Sequence, residues 1–322
     1  MIGLLQFVIT ALAYGLAAVA IVALLERWGL LRDGAIAETL WRIALYAGPM
    51  VAIAQGLAPL ARDLYTDIVT APEIVVQAPQ AAADASAEAA SPPHPVASMP
   101  ERVVPHRADT RPQAWVWPEA LAKGLLIGFV VLMGCALVGF AVGWARRRTF
   151  LARAWRTSRA APLHWHDEVA ALDADALHPV LRSVPGIDSP VCGDRATILL
   201  PAWTETLAAD ARRALLAHEL AHLRRRDPQW RLMDALIVAC LGGLPPFRYA
   251  ARRLEALAEF ACDADATRRT GAPQALAECI AHCLEHQVAA MPRLTVAMAM
   301  PTSSVVERVQ RLIEERPMFT SE

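Results

Sequence analysis

Three long stretches of the 322-residue sequence lack any charged side chain. They cover residues 1–25, 43–61 and 124–145. Because a bilayer core is crossed by about 20 consecutive apolar residues, each stretch has the length of a membrane span. The first stretch also lacks the basic start and the small-residue cleavage site of a signal peptide, so we expect it to be retained. The absence of charge argues against an ordinary soluble protein and predicts three transmembrane helices.

The sequence also carries almost no net charge, and one whole segment lacks cysteine. The 31 Lys and Arg residues oppose 32 Asp and Glu residues, which gives a net charge of −1. No overall attraction to nucleic acid is therefore expected. All six cysteines lie at or beyond Cys135, so the Ala- and Pro-rich segment 62–123 has no disulfide framework. Its composition predicts a weakly ordered loop.

Arginine is concentrated directly after the third uncharged stretch. Residues 146–159 contain six arginines, and basic residues beside a span mark its cytoplasmic side. This pattern predicts a multi-pass protein of the cell inner membrane with its N-terminus outside. The segment 26–42 would be a short cytosolic loop, 62–123 a periplasmic or extracellular loop, and 146–322 a cytosolic domain.

The segment 207–226 contains neither glycine nor proline, which predicts a helix. Within it, His218, Glu219 and His222 form the pattern H-E-x-x-H. A spacing of four places both imidazoles on one helix face, where they can bind one metal ion. Imidazole nitrogens suit Zn²⁺, and Glu219 could take the proton of a water molecule activated by the metal. A chance pattern on a helix is the alternative.

A catalytic zinc site of this kind needs a third protein ligand. Glu255 and Glu259 are both candidates, in a helix predicted for residues 254–269. We prefer Glu259 because Asp263 follows one helical turn later and could orient a zinc-bound histidine. Glu255 has no such partner, since position 259 is itself a glutamate. Solvated acidic residues are the simpler interpretation of these carboxylates.

The rest of the cytosolic part is predicted to be helical, apart from one strand. The strand covers residues 196–201 and is stopped by a proline. Further helices are predicted at 273–290 and at 303–316. The uncharged segment 235–247 is too short for a regular span, and its two glycines and two prolines interrupt it. We expect a buried, re-entrant or otherwise membrane-associated segment there.

These motifs together resemble a known family of enzymes. H-E-x-x-H followed by E-x-x-x-D is the signature of gluzincin peptidases. The longer stretches SPVCGDRATILLP, LLAHELAHLRRRD and RRLEALAEFACDADA look like the BlaR/MecR-type antirepressor membrane zinc metallopeptidases. The resemblance implies that Zn²⁺ is bound by His218, His222 and Glu259. It also implies that Glu219 is the general base and that Asp263 orients a histidine, His218 in particular.

The resemblance also implies a fold and a function. The fold would be that of a mainly α membrane protein, with three transmembrane helices and a cytosolic α+β gluzincin-like zinc protease domain. The enzyme would cut a protein substrate, such as a transcriptional repressor, that lies as an added strand on an edge strand formed by 196–201. Sensor members of the family continue into a penicillin-binding domain. This sequence ends at Glu322, so we expect a short member that responds to a partner or to its own outer loop, with a sensor partner or a homodimer as possible assemblies.

Several alternatives stay open on the sequence alone. The same two motifs occur in HtpX-type quality-control proteases, and a non-catalytic membrane receptor or scaffold could retain the fold. A second metal ion could bind four residues at helical spacing, although buried cysteines and ordinary histidines are the simpler interpretation: Cys279, His282, Cys283 and His286. The group that stabilises the oxyanion could be Tyr249, Arg252 or one of those two histidines.

Overall fold

The computed structural model describes residues 2–69, 119–172, 178–193, 196–290 and 302–314. Within these ranges the chain is mostly helical and carries one small sheet. The elements in chain order are α1 (Ile2–Arg27), α2 (Gly34–Val69), α3 (Glu119–Thr157), β1 (Arg159–Ala160), α4 (Leu163–Leu172), β2 (Val180–Val184), β3 (Val191–Gly193), β4 (Thr197–Pro201), a 3₁₀ turn (Ala202–Thr206), α5 (Ala209–Arg225), α6 (Asp227–Cys240), α7 (Pro245–Thr270), α8 (Pro273–Ala290) and α9 (Thr302–Ile313).

Two helices among the described residues are long and apolar enough to cross a membrane. They are Leu4–Arg27 in α1 and Lys123–Thr157 in α3, and they overlap the first and third predicted spans. The second predicted span, 43–61, lies inside α2, which does not meet the same criterion in its described part. The second span therefore stays a prediction.

The segment 62–123, which was predicted to be an outer loop, is helical at both of its ends. Helix α2 continues to Val69, and α3 begins at Glu119. The remainder of that loop, 70–118, lies outside the described residues. The arginine-rich segment that follows the third uncharged stretch continues α3 as far as Thr157, because nothing in residues 146–157 breaks a helix.

Helices α1 and α2 pack closely because a glycine lies where they meet. A Cβ atom added at Gly48 would come 2.1 Å from the backbone oxygen of Ala11, so any side chain there would push the two helices apart. Small residues at such crossings let helix backbones approach, as membrane helices often do. The pair also packs on α7 through a shared apolar cluster that includes Trp41 and Phe247.

The second apolar cluster surrounds α5 and fixes its position. It joins α4, the sheet and α8 to α5, through Trp165, Ile198, Leu220 and Leu276 among others. All residues from 214 to 222 of α5 are buried, which is unusual for a helix with this many polar side chains. The core therefore holds the H-E-x-x-H segment rigidly from several sides.

The strand order in the sheet is β1-β2-β4-β3. Strand β4 pairs in parallel with β2 and antiparallel with β3, and all five of its residues are buried. The prediction that residues 196–201 form an edge strand is therefore wrong, although the strand itself is present. Both sides of β4 are already hydrogen-bonded, so it has no free edge for an added strand. The edge on that side of the sheet is β3.

The uncharged segment 235–247 forms the end of α6, a tight turn and the start of α7. Gly242 and Gly243 in the turn have φ values of 70° and 63°, a conformation that glycine adopts at little cost. A Cβ atom at Gly242 would meet the side chain of Leu132 at 3.3 Å. The turn thus lies against the apolar part of α3.

Candidate metal centre

Two buried histidines on α5 have their Nε2 atoms facing each other. His218 and His222 are one helical turn apart, and their Nε2 atoms are separated by 3.1 Å. Glu259 on α7 completes the group, with Oε2 at 3.5 Å from His218 Nε2 and Oε1 at 3.5 Å from His222 Nε2. The three side chains come from two helices and converge on one point.

The spacing of these atoms fits a bound metal ion. In a tetrahedral zinc site with bonds of about 2.0–2.1 Å, neighbouring ligand atoms are about 3.4 Å apart. The separations of 3.1, 3.5 and 3.5 Å are close to that value. Two imidazole nitrogens and one carboxylate oxygen are also a donor set that zinc accepts, with a fourth position left for water or substrate.

The other candidate ligand, Glu255, does not join this group. Its side chain is 56% exposed and lies 3.6 Å from Arg231. The carboxylate of Glu259 is largely covered and is 2.5 Å from the same arginine. The geometry therefore brings the glutamate with the downstream aspartate to the histidines, as the spacing on α7 suggested.

Each histidine has an aspartate at its other ring nitrogen. Asp263 Oδ1 lies 3.1 Å from His218 Nδ1, although the atoms are not aligned for a hydrogen bond. Asp227 Oδ2 lies 2.8 Å from His222 Nδ1. Carboxylates in this position fix the ring orientation and leave Nε2 free for a metal. The sequence pointed to Asp263 but gave no such role to Asp227.

Asp227 reaches His222 because the chain turns sharply after α5. Arg226 adopts a left-handed conformation with φ of 58°, and α6 begins directly afterwards. In a continuous helix, a residue five positions on would lie on a different face from His222. No spacing rule could therefore have predicted this contact.

Strong opposite charges surround the candidate centre. Burial lowers the pKa of His218, but contacts with Asp263 and Glu259 outweigh it and raise the pKa to about 10. The pKa of His222 is also raised, since Asp227 and neighbouring groups outweigh its burial. Burial raises the pKa of Glu259, but the two histidines hold it well below its usual range. Without a metal, protons therefore supply the positive charge at this point.

Two arginines hold the carboxylates on α7. Arg308 on α9 donates to both oxygens of Asp263 at 2.7 Å and lies 2.9 Å from Glu259 Oε2. Arg231 on α6 donates to Glu259 Oε1. Neither arginine stands out in the sequence, because Arg308 lies 45 residues from Asp263 and contacts over such a separation leave no local pattern.

Glu219 lies beside the candidate ligands and strand β3. Together with His218, His222 and Glu259 it lines a cavity of about 560 Å³. The thiol of Cys192 on β3 donates to Glu219 Oε2 at 3.1 Å. Burial, with a further contribution from Glu219, raises the pKa of Cys192, so the thiol stays protonated and remains a donor.

Comparison with known families identifies the chain. The sequence model of a family described as BlaR1 peptidase M56 matches residues 7–312. The chain belongs to this family. The match begins in α1 and ends in α9, so it includes both membrane-length helices and the candidate centre. The predicted family is confirmed, and the chain is a membrane-associated metallopeptidase. No curated protein matches it.

Most of the candidates for the oxyanion contact do not line the cavity. Tyr249 packs edge-on against Trp41, and His286 stacks on Trp203. His282 lies 3.4 Å from its neighbour Glu285. Among the described candidates for the oxyanion contact, only Arg252 lines the cavity.

The second metal site considered from the sequence does not form in the described part of the chain. The metal-type groups there are His218, His222 and Glu259, and a second group of His222, Asp227 and Cys262. Neither contains a residue of the segment 279–286. The second group shares His222 with the first, and Cys262 Sγ lies 3.3 Å from His222 Nδ1.

Proposed function

We propose that this peptidase is a zinc-dependent endopeptidase that hydrolyses a peptide bond of a protein substrate at the cytosolic face of the membrane. The observation that carries the proposal is the convergence of His218, His222 and Glu259 at zinc-like separations. Glu219 lines the same cavity. A metal with three protein ligands and one open position is the arrangement of catalytic rather than structural zinc.

In the proposed reaction each residue has a separate task. Zinc held by the three ligands would supply Lewis-acid activation of the peptide carbonyl and of a water molecule. Glu219 accepts the proton of the attacking water and returns it to the leaving amine. The Cys192 thiol holds Glu219 through its hydrogen bond to Oε2. Arg252 is the cavity residue from which we expect a contact to the oxyanion.

The substrate would lie along β3. Strand β3 forms one edge of the sheet, and the cavity is lined by its residues Val191 and Cys192 and by the two residues before them. An extended peptide added to this edge would gain backbone hydrogen bonds. It would also pass beside Glu219, which β3 contacts through Cys192. We therefore propose β3 in place of the interior strand β4.

We propose three membrane spans with the N-terminus outside and the peptidase domain in the cytosol. The apolar window of α3 has no residue buried inside the protein, and a surface of this kind is stable in lipid. The arginines that follow it favour the cytosolic side. The turn at Gly242 lies against Leu132 of α3, which supports a position of this turn at or in the membrane.

The substrate class we propose is a cytosolic transcriptional repressor, whose cleavage would transmit a signal. The support for this substrate class is the family, because the sequence motifs resemble those of its antirepressor members. We also propose that the activating signal reaches the peptidase from a sensor partner or through a homodimer.

Substrate trapping with the full-length Glu219→Gln variant tests the function. The variant keeps all three proposed ligands, so it should bind zinc and hold substrate without cutting it. Tagged variant and wild type are purified from the native membrane, and bound proteins are identified by mass spectrometry. We expect a DNA-binding protein that is enriched on the variant and is cleaved in cells that contain the wild type.

His222→Ala is the matched control, because it removes a proposed ligand and should lose both zinc and cleavage. Enrichment of many unfolded membrane proteins would support a quality-control protease instead of a repressor-cleaving one. Full complementation of a deletion strain by Glu219→Gln would refute the enzymatic role and leave a receptor or scaffold.

A further inference from the structure

A chain of buried and partly buried charged groups connects α2 to the candidate metal centre. Glu38 in the second turn of α2 is 8% exposed. Arg225 at the end of α5 donates to both of its carboxylate oxygens, at 2.8 and 2.9 Å. Arg225 Nε also donates to Asp227 Oδ2 at 3.3 Å. That same oxygen lies 2.8 Å from His222 Nδ1.

We propose that Glu38 is a positioning residue for the metal centre, acting on His222 through Arg225 and Asp227. It does not touch the ligand. Its carboxylate instead fixes the position of the Arg225 guanidinium. That position determines how strongly Asp227 interacts with Arg225 and how strongly it interacts with His222. The inference rests on the proposed function, since it concerns how a proposed zinc ligand is held.

The physical argument concerns one shared oxygen. Asp227 Oδ2 serves both Arg225 and His222, and Asp227 is almost completely buried, with 3% of its side chain exposed. Without Glu38, Asp227 would be the carboxylate that the Arg225 guanidinium still contacts. Arg225 is partly buried, with 28% of its side chain exposed, and leaving a charge in such a place without a partner is costly, so we expect its guanidinium to move towards Asp227. Asp227 would then turn towards Arg225, and His222 would lose the contact that fixes its ring.

Other contacts keep Glu38 in place on α2. Arg42, one turn further along α2, lies 2.9 Å from Glu38 and stacks over the ring of Trp230 on α6. Tyr46 donates to Asp234 of α6 at 2.9 Å. The first four turns of α2 therefore dock on the corner between α5 and α6. The geometry of the proposed zinc site consequently depends on where α2 lies.

The zinc affinity of the full chain in detergent tests this inference, measured by competition with a chromogenic chelator. Glu38→Gln keeps size and polarity but removes the charge. A residue that orients a metal ligand typically changes affinity 10–100-fold, and Glu38 acts one contact further away. We therefore expect zinc affinity to fall by about 3–10-fold. Glu38→Asp, which keeps the charge, should restore most of the loss.

The matched control is Glu168→Gln. Glu168 on α4 binds Arg212 at 2.6 and 3.2 Å. Arg212 lies at the start of α5, at the opposite end from Arg225, and this pair has no contact with the metal centre. Both variants should lower the unfolding temperature to a similar degree, since each leaves one arginine of α5 without this partner. Only Glu38→Gln should weaken zinc binding, and Glu168→Gln should stay within about twofold of wild type.

A double variant shows whether Glu38 acts through Asp227. Asp227→Asn alone should weaken zinc binding by about 10–100-fold. Adding Glu38→Gln to it should change the affinity by less than about twofold, because the path is already broken. Additive effects, or equal losses in Glu38→Gln and Glu168→Gln, would overturn the inference while leaving the zinc site intact. Wild type that binds no zinc, or binds it as His222→Ala does, would overturn the proposed function as well.

Discussion

Arg308 gives the sharpest prediction about stability. Its guanidinium joins α9 to α7 through two 2.7 Å contacts to Asp263 and one 2.9 Å contact to Glu259. The side chain is 13% exposed, so solvent screens these pairs little. Removing one partner of a buried pair costs about 3–5 kcal/mol, because the other charge is left uncompensated. Glu259 keeps Arg231, and Asp263 keeps the protonated ring of His218 at 3.1 Å, so the low end of this range applies.

We therefore expect Arg308→Met to destabilise the metal-free protein by about 3 kcal/mol. Methionine retains most of the apolar stem of arginine, so the loss reflects charge more than packing. For a unit of about 150–250 residues, each kcal/mol shifts the unfolding temperature by about 2–4 °C. The unfolding temperature should thus fall by about 6–12 °C. Tryptophan fluorescence of the full chain, in detergent with a chelator present, measures it.

Arg311→Met is the control on the same helix. Arg311 pairs with Glu307 one turn away in a partly exposed salt bridge and lies over the ring of Phe260. Contacts of this kind contribute about 1 kcal/mol. Its unfolding temperature should therefore fall by only about 2–4 °C. Equal decreases in the two variants would refute the idea that Arg308 compensates buried carboxylates.

Three further predictions concern the metal and the helix packing. Because the pKa of His218 is raised to about 10 without metal and a bound metal requires neutral imidazole, zinc affinity should rise from about pH 6 to about pH 9 with release of protons. Calorimetry in buffers of different ionisation enthalpy measures that release, and a pH-independent affinity would contradict it. Glu259→Gln should weaken zinc binding by about 100-fold or more, whereas Glu255→Gln should leave it within about twofold, since only Glu259 reaches the histidines; equal losses in the chelator competition assay would argue against the assigned ligand. Gly48→Ala should lower the unfolding temperature because its Cβ would meet the backbone of α1, whereas Gly56→Ala, with nothing within 4 Å, should be neutral or stabilising; similar behaviour of the two variants would contradict the close packing.

The sequence determined the parts of this protein that depend on local periodicity. A run without glycine or proline predicted a helix at 207–226, and α5 covers Ala209–Arg225. The spacing of four placed His218 and His222 on one face of it. The same spacing placed Glu259 and Asp263 on one face of α7. The absence of charge marked two helices of membrane length, in α1 and α3. Each of these features is set by residues within a few turns of one another.

Tertiary structure alone decided which distant groups complete the centre. Asp227 reaches His222 only through the left-handed turn at Arg226. Cys192, Arg308 and Glu38 arrive from a strand, the last described helix and a helix near the start of the chain. Contacts of this kind leave no pattern in the sequence, because the packing of whole elements brings them together.

Strand order is the clearest case in which the sequence was not enough. Residues 197–201 were recognisable as a strand, but the prediction of an edge was wrong because β3 pairs with their free side. A strand's own residues report its burial and period, whereas its neighbours depend on how the whole sheet assembles. The side chains that α5 offers to a metal ion are therefore determined by a short sequence motif, whereas the surface on which a substrate would lie is a property of the fold.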